Sequence, residues 1–107
     1  MKKLLFIILF SLTFPAFSGT GSGKAIVQYV GPWEGREFLF FFTEDRQSPP
    51  NCNSYSGRWV IDIATEKGKA LYKVILDAQK QGKNIKVVGT DDCNTWGNSE
   101  TVKSINF

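Results

Sequence analysis

Three strand-like runs, one amphipathic helix and two further strand-like runs predict a mainly β fold with one helix, an OB-fold-like five-stranded barrel in the order β-β-β-α-β-β. Lys24–Gly31, Glu37–Thr43 and Arg58–Ile63 are rich in β-branched and aromatic residues. Thr65–Gln81 has helical periodicity, and Asn84–Thr90 and Thr101–Phe107 return to strand character. That order is most economically closed as a barrel, with the helix plugging one end between the third and fourth strands. Small barrels of this kind bind at their surfaces and loops, and only rarely do chemistry.

The first strand is expected over Lys24–Val30, with Ile26, Gln28 and Val30 on one face and Ala25, Val27 and Tyr29 on the other. Gly19–Gly23 before it reads as a flexible lead-in. Gly31–Gly35 after it reads as a turn, because Pro32 presets one backbone angle and glycine permits positive ones. Phe38–Phe42 in the second strand is apolar on both faces, so one face should pack into the barrel while a neighbour covers the other. Glu44–Gly57 is a long polar loop. The third strand then presents Trp59, Ile61 and Ile63 on one face, with Trp59 expected in the core.

Thr65 suits the N-cap of the helix, and Glu66 places negative charge in its first turn. Leu71, Val74, Ile75 and Ala78 follow the spacing of a buried helical stripe, and Gly82 fits a left-handed C-terminal cap. Tyr72 and Leu76 form a second apolar pair beside the stripe. In the fourth strand Ile85, Val87 and Gly89 share a face. Asp91–Glu100 is a polar loop holding Cys93 and Trp96, and the last strand alternates to Phe107.

The first eighteen residues read as a secretion signal, with Lys2 and Lys3 as the charged segment and Leu4 to Phe14 as the apolar one. Ala16-Phe17-Ser18 is a small-x-small cleavage site. The apolar stretch is shorter than the roughly 20 residues a membrane span requires, so no span is expected after cleavage. Cleavage after Ser18 leaves residues 19–107, a single OB-like domain of 89 residues (107 − 18) in the periplasm or outside the cell. Cys52 and Cys93 both lie in that part, and an oxidising compartment makes one disulfide between them the expected state.

The formal charge of +3 falls to about +1 when Lys2 and Lys3 leave, since 11 Lys and Arg then face 10 Asp and Glu. Lys69, Lys73 and Lys80 share a solvated helical face rather than forming a basic stripe, and export separates the protein from nucleic acid. The absence of histidine excludes Ser-His and Cys-His nucleophilic pairs, and two thiols without histidine do not make a zinc shell. Adjacent acids such as Asp91 and Asp92 are turn-formers in a polar loop. The sequence therefore predicts no enzyme, no metal and no cofactor.

Trp33, Tyr55 and Trp96 sit in polar loops among Asn, Asp and Ser residues. Such rings suit a sugar, whose apolar face stacks while amides and carboxylates take its hydroxyls. Joining Cys52 to Cys93 would bring Asn53–Tyr55 beside Asn94–Trp96. The expected ligand site has Tyr55 and Trp96 as stacking platforms and Asn53, Asp92 and Asn94 as hydroxyl partners.

Gly68-Lys69-Ala70-Leu71-Tyr72, Leu76-Asp77-Ala78-Gln79 and Gly82-Lys83-Asn84-Ile85-Lys86-Val87 resemble the helix-to-strand passage of subtilase cytotoxin B subunits and their typhoid-toxin relatives. The resemblance covers roughly residues 58–93, and no sugar-contacting residue of that family carries over to a position here. It implies a secreted, disulfide-bonded OB-type domain that forms a pentameric ring, binds a cell-surface glycan and carries a separate catalytic A subunit. The expected function is a secreted glycan-binding module like a toxin B (cell-binding) subunit. The alternative is a periplasmic or secreted OB-fold protein-interaction domain without a sugar site. Self-association is also expected from the doubly apolar Phe38–Phe42 strand and the Tyr72/Leu76 pair.

Overall fold

The computed structural model describes residues 18–107, so the signal-peptide expectation for residues 1–18 falls almost wholly outside the described residues. The elements are β1 (Thr20–Trp33), β2 (Arg36–Gln47), β3 (Trp59–Asp62), α1 (Glu66–Gln81), β4 (Ile85–Gly89) and β5 (Glu100–Asn106). The five strands close into a ring in the order β1-β2-β3-β5-β4, with β4 returning to β1. The expected β-β-β-α-β-β order is the observed one. All neighbouring strands are antiparallel except β3 and β5.

Gly19–Gly23 is not a flexible lead-in. From Thr20 onward it is the part of β1 that two neighbours hold at once, since Thr20–Gly23 pairs with Val88–Ile85 of β4 while Thr20–Ser22 pairs with Gln47–Asp45 of β2. Glycine in a strand marks a bulge or a close approach of backbones, and both occur here. The β1–β2 register shifts between Ser22 and Ala25, where Gly23 has φ 100°. A side chain at Gly21 would run into the Thr43 hydroxyl and the Trp59 ring. The glycines let β1 coil sharply enough to serve both edges of the ring.

The expected turn at Gly31–Gly35 is shorter than its sequence suggests. β1 continues through Pro32 and Trp33, which pair with Glu37 and Arg36, and only Glu34 and Gly35 form the loop. Both have positive φ, 53° and 79°, the two-residue geometry whose twist matches a hairpin.

The helix begins and ends as its sequence dictates. The Thr65 hydroxyl accepts from the Gly68 amide at 2.9 Å, and Gly82 closes the C-terminus at φ 63° with its N–H aimed at Ala78 and Gln79 carbonyls. Replacing Thr65 by alanine leaves that amide without its partner and is expected to cost about 1 kcal/mol, read as a lower urea midpoint at unchanged slope. Ile75 and Ala78 are buried against the ring, and Leu71 packs at its margin. Tyr72 also packs against the core, while Leu76 stays 40% exposed, so the second apolar pair divides between interior and surface.

The main core lies inside the ring, where Leu39 and Phe41 of β2 meet Trp59 and Ile61, Ile85 and Val87, and Val102. Trp59 is fully buried as expected, and its indole N–H donates to the Thr43 hydroxyl at 3.1 Å. The opposite face of β2 builds a second cluster outside the ring, from Phe38 and Phe40 with Val60. Tyr29 and Trp96 pack over it. The neighbour that covers the doubly apolar strand thus comes from the same chain, in the loop between β4 and β5. Burial of Phe38 and Phe40 removes one of the two sequence reasons for self-association; Ile26, Val30 and Leu76 remain as exposed aliphatic surface.

Candidate ligand-binding cleft

The disulfide joins Cys52 to Cys93 across a sequence separation of 41, tying the β2–β3 loop to the β4–β5 loop. The five expected site residues gather around it but do not share one surface. Tyr55 and Trp96 line a cleft of about 480 Å³ on the outer face of the sheet. Asp92 and Asn94 line a more open depression of about 720 Å³ beside the disulfide itself.

Asn53 is bound up between the two loops. Its side-chain carbonyl accepts from Arg46 Nη2 at 2.9 Å, and its amide donates to the Arg58 and Asn98 carbonyl oxygens at 3.1 and 3.2 Å. Asp92 Oδ1 accepts from the Thr90 hydroxyl at 2.9 Å and from the Asn94 amide at 3.1 Å, the local bonding of an aspartate that shapes a turn. These two residues organise the loops. No metal-binding group of three or more His, Cys, Asp or Glu occurs among the described residues.

The cleft is built on β1 and β2, with Arg58 just ahead of β3. Phe40 lies at its base, Tyr29 and Trp33 of β1 form one wall, and Tyr55 and Trp96 come from the two loops that the disulfide joins. Tyr29 and Trp33 meet edge to face with centroids 5.7 Å apart, and Trp33 meets Trp96 the same way at 6.2 Å. Trp96 is itself fixed against Phe38 and Phe40 at 5.1 and 5.6 Å. Such contacts hold an indole in one orientation. Trp33 and Tyr55 keep 46% and 40% of their surface exposed, which makes them the open rings of the cleft.

The cleft also contains Arg58, only 8% exposed. Its guanidinium lies over the Phe40 ring at 4.2 Å and the Tyr55 ring at 3.8 Å, a cation held between two aromatic faces. Nε donates to Ser99 Oγ at 2.8 Å, Nη1 to Gln28 Oε1 at 2.9 Å and Nη2 to Asn98 Oδ1 at 2.9 Å. Gln28 continues the network by donating to the Tyr55 hydroxyl at 3.1 Å. Burial lowers the Arg58 pKa from its ordinary value, with the nearby Tyr55 opposing the shift, and a guanidinium remains charged at neutral pH. No described carboxylate pairs with it.

The side chains here are rings, amides, a hydroxyl and a guanidinium, so the chemistry the cleft offers is stacking and hydrogen bonding. The outer face of strands two and three, flanked by the first hairpin and the β4–β5 loop, is where OB-type domains bind oligosaccharides and oligonucleotides. Sequence reasoning identified Tyr55, Trp96 and, among the loop aromatics, Trp33. It missed Tyr29, Gln28, Arg58 and Asn98. Arg58 immediately precedes β3, and nothing local in the sequence signals that another loop closes over it. No protein-family model, no curated protein and no solved structure matches the chain.

Proposed function

We propose that this chain is a non-enzymatic glycan-binding module of the toxin B (cell-binding) subunit type, and that the cleft between Trp33, Tyr55 and Trp96 is its sugar site. The observation that carries the reading is the pairing of two open aromatic rings with a nearly buried, hydrogen-bonded Arg58 on the ligand face of an OB-type ring. The rings suit the apolar face of a pyranose, and Gln28, Asn98 and the guanidinium suit its oxygens. Export to the periplasm or beyond, assembly into a homo-oligomeric ring and delivery of a separate catalytic A subunit belong to the same reading. A disulfide accords with it.

A second reading, a protein-interaction domain without a sugar site, is favoured by the exposed Ile26 and Val30 on β1. A glycan array on the protein beginning at Gly19 separates the two. The glycan reading predicts binding that Trp33→Ala weakens at least tenfold, the effect of about 1.4 kcal/mol, in a variant that stays folded at the assay temperature. Trp96→Ala is expected to lower the melting temperature as well, because that ring packs on Phe38 and Phe40. A parent that binds no glycan, or a Trp33→Ala variant that binds like the parent, removes the cleft as a sugar site.

A further inference from the structure

We infer that processing between Ser18 and Gly19 creates a charged N-terminus that closes on Glu100, turning the buried Arg46–Glu100 pair into a three-membered ion cluster that locks the start of β1 into the ring. This rests on the export in that reading but not on what the cleft binds. The Glu100 side chain is fully buried, and Arg46 Nη2 donates to its Oε1 at 2.7 Å. The other oxygen, Oε2, accepts from the Gly19 amide at 3.1 Å and the Asp91 amide at 2.9 Å. Gly19 is held from its other side too, because its carbonyl accepts from the Gly89 amide at 2.8 Å.

Only glycine fits at position 19. A Cβ there would collide with the Glu100 carboxylate and the Arg46 guanidinium, and one at Gly89 would collide with the same carboxylate. The carboxylate is lodged between two bare backbones, one of which begins at the bond where the sequence places signal cleavage. Hydrolysis of that bond by a processing endoprotease consumes one water. Its oxygen completes the Ser18 carboxylate, and the Gly19 nitrogen leaves as an amine that takes up a proton at neutral pH. The nitrogen already within hydrogen-bond reach of Glu100 thereby changes from a neutral amide donor to an ammonium. The bond to the carboxylate then joins two opposite charges, where the amide offered only its dipole.

The pH dependence follows from the groups around Glu100. Arg46 faces it from β2, the exposed Asp91 carboxylate lies at the start of the loop after β4, and Gly19 ahead of β1, Trp59 of β3 and Gly89 of β4 adjoin it. A free α-amino group titrates near pH 7.7–8.0, roughly; the Glu100 carboxylate favours its charged form, while burial and the adjacent Arg46 guanidinium oppose it. The stabilisation belongs to the charged amine, so it is present while that group is protonated and is lost as the pH climbs through its titration.

Two versions of the protein test the inference, one beginning at Gly19 and one retaining Ala16-Phe17-Ser18 ahead of it, melted across pH 6 to 10. The Gly19 version is expected to melt about 5 °C higher near pH 7, with the gap closing toward pH 10. Acylation of its N-terminus near neutral pH should run at least about tenfold slower in the folded than in the urea-unfolded chain, a difference that corresponds to about 1.4 kcal/mol of protection. Mass spectrometry of the full chain exported from a host cell should show Gly19 first. Melting profiles that coincide at every pH, acylation as fast as in the unfolded chain, or a mature protein starting elsewhere would each overturn it.

Discussion

Glu100→Gln is expected to lower stability by about 3–5 kcal/mol, the cost of removing one partner from a buried ion pair. The carboxylate accepts from Arg46, Gly19 and Asp91 with no exposure of its own. A carboxamide supplies one acceptor oxygen in place of two. If that oxygen serves the two backbone amides, its NH₂ group faces the Arg46 guanidinium, donor against donor. Arg46 cannot retreat easily, since it is stacked on the Trp59 ring at 3.7 Å and bonded to the Gly57 carbonyl at 3.0 Å. Burial already lowers its pKa, opposed by its bond and its attraction to Glu100, so losing that partner leaves desolvation uncompensated. Urea denaturation measures the loss, and a Glu100→Gln variant within 1 kcal/mol of the parent contradicts the assignment. Replacing Arg46 together with Glu100 by apolar residues should be less damaging than removing Glu100 alone, because no buried charge is then left unpaired.

Reduction of Cys52–Cys93, or its replacement by paired serines, is expected to cost about 4 kcal/mol from loop entropy alone. In a domain of this size that corresponds to a drop of more than about 15 °C in melting temperature. A second effect follows from where the bond sits. It ties together the loops that supply Tyr55 and Trp96, so its loss frees two walls of the cleft from each other. Ligand affinity should fall even at temperatures where the reduced protein remains folded, because a loosened site must be ordered on binding. A reduced protein that melts with the oxidised one shows that the loops are held by Asn53 and Arg58 instead. Reduced protein that stays folded and binds with undiminished affinity shows that the cleft walls do not depend on the bond.

The site was partly legible in the chain because exposed aromatics among polar residues are unusual and draw notice one by one. Tyr55, Trp96 and Trp33 were visible for that reason. Asn53, Asp92 and Asn94 were equally visible as polar loop residues, yet Asn53 is consumed in joining loops while Asp92 and Asn94 fall on the far side of the disulfide. A disulfide brings two loops together without fixing which side each neighbouring side chain takes. Arg58 was invisible for the opposite reason. An arginine at the start of a strand reads as solvated, and its burial depends on Gln28, Asn98 and Ser99, each at least 30 residues away.

Features whose physics is local were set by the sequence itself. Thr65 and Gly82 bound the helix through hydroxyl capping and a left-handed backbone, and two cysteines admit one intrachain pairing, whereas the expected facing of β1 fails at Tyr29, which packs outside the ring while Ala25 and Val27 pack inside it. Features that depend on register were decided only in the assembled ring. β1 slips between Ser22 and Ala25 and again between Val27 and Tyr29, and each slip of one residue changes which side chains face outward together. That is what sets Tyr29 beside Phe40 in the cleft and turns the glycine run from Gly19 into the strand that closes the ring on β4. Glycine permits flexibility and tight packing alike, and the choice between them belongs to what lies opposite, here the carboxylate of Glu100 and the ring of Trp59.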